Sequence, residues 1–311
     1  MRSFFKFIYK STLAVFRFIG NLYLACVVFG RVIRYCRWSI DFRKTKWAYR
    51  GDCLIFGNGP DLKKEYAQIP KKMLTAKKLC VNNLAMSDLY EKIKPDIYLL
   101  IDPSYWKKDV GREWRGWRKK LLDELETKTT WPLILLLPNV TEIRSYDGFT
   151  KLIKRNKMIS LCYFNHTRVD DMPFRSLRQF LYRQNLGMIC TENVLLPAIF
   201  LMINTGFKRI FLFGANHSWH KDISLDKSGN ISLRLSHFYQ KDKIHRLQNT
   251  TPVCDTYHHI PKLSLVFAQL SRVFAAHEKV AAWARHKKTK VFNATSGSYI
   301  DAYQKVKIKD L

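Results

Sequence analysis

The sequence predicts an α/β protein built on a doubly wound, mostly parallel sheet. Three observations carry that prediction. Short apolar runs recur without polar alternation, as strands buried on both faces do. Segments of helical period separate them. Polar residues gather just after each run, where open parallel sheets take up ligands.

The first 50 residues stand apart from this pattern. They carry eleven basic residues (Arg2, Lys6, Lys10, Arg17, Arg31, Arg34, Arg37, Arg43, Lys44, Lys46 and Arg50) against one acid, Asp41. Aromatic and aliphatic residues fill the intervals, above all in "TLAVFRFIGNLYLACVVFG". A cleaved signal peptide would end at small residues, but here the segment continues into "RVIRYCR". A transmembrane span would have to bury Arg17 and Asn21 near its middle. A basic, aromatic helix lying on an anionic membrane surface accommodates both residues, and residues 1–50 are read as such an arm. Lying on the membrane or, in the alternative reading, spanning it as a single N-terminal anchor, the arm is expected to hold the chain at the cytoplasmic face of an inner membrane.

From Gly51 onward the elements follow in order. Apolar runs at 53–56, 79–83, 96–102, 131–138, 158–164, 209–214 and 289–293 are the predicted strands. Helical patterns at 61–75, 84–94 and 112–126 connect the early ones, with Trp114 and Trp117 expected in the core. "VLLPAIFLMINTGF" (194–207) is a buried helix stopped by Gly206, and residues 263–286 form a long amphipathic helix. Residues 51–311 thus form one domain. Residues 215–262 interrupt it with a polar, His-rich segment lacking periodicity, read as a functional lid.

The formal charge is +29, which implies an anionic partner. No helix-turn-helix, zinc-finger or RNA-binding signature accompanies it, so lipid and phosphorylated substrates fit better than nucleic acid. The seven cysteines are scattered without a C-x-x-C pair and are read as reduced thiols rather than a disulfide framework or zinc site.

The strand ends hold the candidate site. After the first run comes Gly57-Asn58-Gly59-Pro60, with Pro60 suited to the first turn of the following helix. The turn lacks the Gly-Lys-Ser/Thr of a nucleotide-phosphate loop, and Leu62 stands where a dinucleotide fingerprint needs its third glycine. Two glycines still permit close backbone approach, as in any tight turn. Its neighbours make it more specific: Asn82 and Asn83 after the second run, Asp102 after the third, Asn193 before the buried helix, and Asn216 and His217 after "RIFLFG". Amide side chains read nucleobase and ribose edges without adding charge.

These motifs occur in the order "LIFGNGPDLKK", "VNN", "IYLLIDPSYW", "ENVLLPAIFLMINTGFKRIFLFGANHSW" and "KVFNATSGSYIDAY". The chain over about residues 51–305 resembles the bacterial family-42 sialyltransferases and their relatives with a 6-hydroxymethylpterin diphosphokinase-like domain. The resemblance implies a Rossmann-like, GT-A-variant domain with a lid, binding a nucleotide-activated sugar without metal or other cofactor. It implies that Gly57, Asn58, Gly59 and Asn82 contact the cytidine monophosphate of a donor. Here Asp102 stands where that family carries Asn, Thr191-Glu192-Asn193 replaces its Thr-Ser-Gly, and Gly214-Ala215-Asn216 takes the place of a Gly-x-Asp. The expected acceptor is a lipid-linked surface glycan.

Inverting transfer requires a base near the acceptor hydroxyl and groups that neutralise the leaving phosphate. The resemblance implies a lid His for the first and lid Tyr hydroxyls for the second. The lid holds His217, His220, His237, His245, His258 and His259. His237 and His259, beside Tyr239 and Tyr257, are the candidate bases, and those tyrosines the candidate phosphate partners. His277 and His286 are read as residues of the helix face. Two other readings compete. Pyrophosphoryl transfer to a pterin would gather acids around Mg²⁺, and Asp102 and Glu192 are the evident ones. A non-catalytic adaptor in polysaccharide assembly would bind no nucleotide.

Overall fold

The computed structural model describes residues 2–38, 42, 51–225, 231–234, 244–246 and 262–311. Eleven strands form two sheets among them. The main sheet runs β1 (Asp52–Phe56), β2 (Lys77–Val81), β3 (Ile97–Leu99), β4 (Leu133–Pro138), β5 (Ile159–Phe164), β6 (Arg209–Phe213), β10 (Lys290–Asn293) and β11 (Gln304–Lys305). Its spatial order is β11-β10-β6-β1-β2-β3-β4-β5, and every pairing is parallel. The chain winds outward from β1 to β5, then returns to lay β6 on the other side of β1. The topological switch point therefore falls between β1 and β6.

The sheet separates two cores, because successive strand residues face opposite ways. Cys53, Ile55, Leu79, Val81, Ile210 and Leu212 face one core, completed by α8 (Leu195–Thr205) and α9 (Leu263–His286). Leu54, Phe56, Cys80, Tyr98, Phe211 and Phe213 face the other, covered by α2 (Leu62–Tyr66), α3 (Leu89–Ile93), α4 (Arg112–Lys128), α5 (Thr141–Arg144) and α6 (Asp147–Arg155). Helix α7 (Arg175–Arg183) lies between β5 and β6 in sequence. Burial on both faces is why the inner strands read as unbroken apolar runs.

The departures from the predicted elements have local causes. The helix expected at 61–75 divides into α2 and a 3₁₀ turn at Lys71–Thr75, because Pro70 has no N–H to continue a helical ladder. The helix expected at 84–94 divides at Ser87, whose backbone is extended. Pro60 precedes the N-cap Asp61 instead of entering the first helical turn. Trp114 is 46% exposed, while Leu121 and Leu125 carry the buried face of α4. The segment expected to be irregular contains a 3₁₀ turn (Trp219–Asp222) and a small antiparallel sheet of β7 (Ile223–Leu225), β8 (Ile231–Arg234) and β9 (Ile244–Arg246).

The N-terminal arm forms α1 (Arg2–Tyr35). Its Lys6–Tyr35 portion is long and apolar enough to cross a membrane by length and composition. Ala25, Val28, Val32 and Cys36 are buried in the core that holds α8 and α9. The Cys36 thiol donates to the Leu186 carbonyl at 2.8 Å, and Asn165 exchanges hydrogen bonds with both backbone groups of Arg37. Among the described residues six cysteines are free, four of them buried.

Candidate functional site

The Gly57–Pro60 turn and the loop after β6 continue the pairing of their strands. Gly57 N–H donates to Phe213 O and Gly59 N–H to Gly214 O, each at 2.8 Å. The glycines are required by this approach. A Cβ on Gly57 would lie 2.4 Å from the Gly214 carbonyl oxygen, and one on Gly59 would lie 2.0 Å from Asn216 Oδ1. Both glycine amides of the turn are thus engaged by protein, and the turn forms a wall at the topological switch point.

Glu65 holds that wall from below. It is 2% exposed, and its carboxylate accepts from Gly214 N–H at 2.7 Å and Ser296 N–H at 3.0 Å. One side chain of α2 thereby joins the loops after β6 and β10. Burial raises its pKa to about 7, against the opposing pull of those two amides. Asp61 accepts from Asn216 Nδ2 at 2.7 Å. The Asn216 Oδ1 is buried with no hydrogen-bond partner.

Beyond β2, Asn82 turns the chain in a left-handed conformation, φ +52°. The Tyr98 hydroxyl fixes the turn by donating to Asn82 O at 2.5 Å and accepting from Ala85 N–H at 2.9 Å. Asn82 Oδ1 is buried and unpartnered. Asn83 Oδ1 accepts from the Tyr105 hydroxyl, and Asn58 Nδ2 donates to Val81 O. Asp102 accepts from Ser104 N–H at 2.8 Å, capping a short 3₁₀ turn, and Ser104 Oγ is a third buried polar atom without a partner.

His217 is buried at φ +52°, and its Nε2 lies 3.1 Å from both Asn193 Nδ2 and His277 Nε2. Asn193 Oδ1 accepts from Leu195 N–H and Leu196 N–H at the start of α8, which leaves its Nδ2 as the donor toward His217. His217 Nε2 is therefore the bare nitrogen, and His277 Nε2 must carry the proton it shares with it. His277 Nδ1 is then the acceptor for the Tyr303 hydroxyl at 3.0 Å. Burial keeps both rings neutral: His217 lies well below its ordinary value, helped by His277, and His277 falls to about 3.

His277 and Tyr303 were not among the expected site residues. His277 is fully buried, not on a helix surface as its period suggests. Its neighbours Ala276 and Val280 are buried too, which is the one signal in the sequence. His166 was likewise unexpected. Its Nε2 lies 2.8 Å from Thr191 Oγ1, and burial lowers its pKa to about 4. Glu192 accepts from Arg272 Nε at 3.0 Å. The structure thus brings Gly57, Asn58, Gly59, Pro60, Asn82, Asn83, Asp102, Asn193, Asn216 and His217 to the carboxyl ends of β1, β2, β3 and β6 and the start of α8. The expected bases His237 and His259, and Tyr239 and Tyr257, lie outside the described residues. Among the described residues no three His, Cys, Asp or Glu side chains gather as a metal-ligand set.

Fold and strand ends define the class: a Rossmann-like α/β protein with polar residues gathered at the carboxyl ends of its strands. No family model and no curated protein matches the chain. Among solved structures it is similar to the MAf glycosyltransferase from Magnetospirillum magneticum AMB-1, at 11% sequence identity and a TM-score of 0.48. The likeness covers 88% of this chain and 38% of that one, so the chain spans well under two thirds of its neighbour's length.

Proposed function

We propose that the chain is a metal-independent glycosyltransferase that takes its sugar from a nucleotide-activated donor. The observation that supports this is the gathering of amide side chains at the carboxyl ends of β1, β2 and β6, where Asn82 and Asn216 hold buried oxygens without partners. Such oxygens accept from exocyclic amines and hydroxyls, the donors a nucleoside offers. Among the carboxylates nearby, Glu65 accepts from two amides, Asp61 from Asn216, Asp102 from Ser104 and Glu192 from Arg272.

The motif resemblance extends the proposal to a CMP-linked donor carrying sialic acid or a related acidic sugar. The acceptor is a lipid-linked surface glycan, which α1 would keep within reach at the cytoplasmic face of the inner membrane. His237 or His259 acts as base, and Tyr239 and Tyr257 neutralise the departing phosphate. A thermal-shift panel of CMP, UDP, GDP and AMP with chelator present tests the donor class. Ligand at one hundred times its Kd stabilises by about 2.7 kcal/mol. Silence across the panel would favour the adaptor reading. Full transfer by both His237→Ala and His259→Ala would refute the assigned base.

A further inference from the structure

Helix α1 carries four of its cations and five of its aliphatic residues on opposite arcs. At about 100° per residue, Lys6, Lys10, Arg17 and Arg31 fall within an arc of about 60°. Ile8, Val15, Ile19, Leu22 and Ile33 fall within a similar arc, about 180° from the first. All five are exposed. The domain lies against Ala25, Val28, Val32 and Cys36, a side that adjoins the cationic arc and meets it at Val28. The helix carries no acidic residue.

The attachment to the domain is made by the C-terminal part of the helix, with one ring contact further back. Near its end, Arg31 donates to Asp171 and to the Arg168 carbonyl. Thirteen residues earlier, or about 20 Å along the axis, Phe18 meets Phe174 edge-on, with ring centroids 6.4 Å apart. The segment it touches is itself anchored, because buried Asp170 accepts from both Arg168 and Lys279. Phe174 is the N-cap of α7, whose outward side exposes Leu177 (37%) and Phe180 (42%) among Arg175, Arg178 and Arg183, again without an acid. The cations Arg183, Arg175 and Lys287 lie close enough to His286 to lower it beyond the effect of burial, which marks a positive surface.

A helix crossing a bilayer needs about 20 residues surrounded by lipid. Here, among the described residues, the domain buries α1 only at Ala25, Val28, Val32 and Cys36, and the stretch before Ala25 that is free for lipid carries Lys6, Lys10 and Arg17, which a span would place in the hydrocarbon. We propose that α1 lies in the plane of an anionic membrane surface, and that the outward side of α7, through Leu177 and Phe180, enters the same interface. The apolar arc faces the acyl boundary, Lys6, Lys10 and Arg17 face the headgroups while Arg31 is held by the domain, and the domain sits beside the helix. The proposal stands apart from the transferase reading, since its tests involve no nucleotide.

Two experiments on the full chain decide it. A depth-sensitive fluorophore is attached singly at native Cys26, at Ile8→Cys and at Ile33→Cys, with quencher-bearing lipids reporting depth. In-plane docking gives one shallow depth for all three positions. A span would separate positions 8 and 33 by about 37 Å along the bilayer normal, and such a gradient would overturn the orientation. In flotation assays the chain should rise with vesicles of phosphatidylcholine and phosphatidylglycerol, and less with phosphatidylcholine alone. The Leu177→Asp/Phe180→Asp variant should partition about ten-fold more weakly. Equal partitioning of this variant removes α7 from the interface. Equal binding to both vesicle types removes the anionic preference, and no binding to either removes the membrane.

Discussion

His277 Nε2 lies 3.1 Å from His217 Nε2, joining two neutral rings from elements 60 residues apart. The Tyr303 hydroxyl and the Asn193 amide close the chain at its two ends, so each ring has one tautomer compatible with its partners. A buried polar chain of this kind stabilises only while every member is satisfied.

Removing the Tyr303 hydroxyl should therefore cost stability out of proportion to one oxygen. Tyr303→Phe leaves His277 Nδ1 buried without a donor and should lower the unfolding free energy by about 1–3 kcal/mol. Tyr299→Phe, at a partly exposed ring, should change it by about 0.5 kcal/mol or less. Equal values for the two in urea titrations would refute the polar chain.

The pH dependence of stability carries two opposing signs. His277 titrates near 3 in the folded state against an ordinary 6.5, and His217 is lowered as well. Their contribution is present above pH 6.5 and is lost as pH falls from there toward 3. Glu65 is raised from 4.5 to about 7, so its contribution is present below pH 4.5 and is lost as pH rises through 7. Glu65→Gln removes the second effect. The loss of stability between pH 7.5 and pH 5 should then be larger than in the wild type, and an unchanged difference would count against the raised Glu65.

The close approach of the turn to the β6 loop predicts a graded glycine series. Gly57→Ala and Gly59→Ala would press a methyl group against the Gly214 carbonyl and should each destabilise by about 1–3 kcal/mol. Gly51→Ala has open space and should be close to neutral. Thermal melts of the three variants test this, and a stable Gly59→Ala would show that the loops can separate cheaply.

Asn82→Gly separates ligand contact from folding. The residue sits at φ +52°, where glycine is at ease, so the backbone turn should survive the change. The side-chain oxygen is lost, and nucleotide affinity should fall about ten-fold, roughly 1.4 kcal/mol. Calorimetry showing undiminished affinity would remove Asn82 from the binding surface.

Local pattern was enough for much of this protein. Unbroken apolar runs marked seven of the eight strands of the main sheet, since burial on both faces leaves no polar alternation. Gly206 ends α8 where a left-handed residue is needed, at φ +102°. That the polar residues after each run share one edge was legible because parallel strands present their carboxyl ends together. The two-residue strand β11 and the short strands β7, β8 and β9 were not, since three or four residues carry too little periodicity to separate from loop. Nor does periodicity reveal that β6 lies beside β1, because strand order depends on long-range burial. His277 shows the same limit. Its sequence position on α9 gives a helical face, while only the packed structure places Tyr303 and His217 on either side of it and gives a buried imidazole the partners that make its burial tolerable.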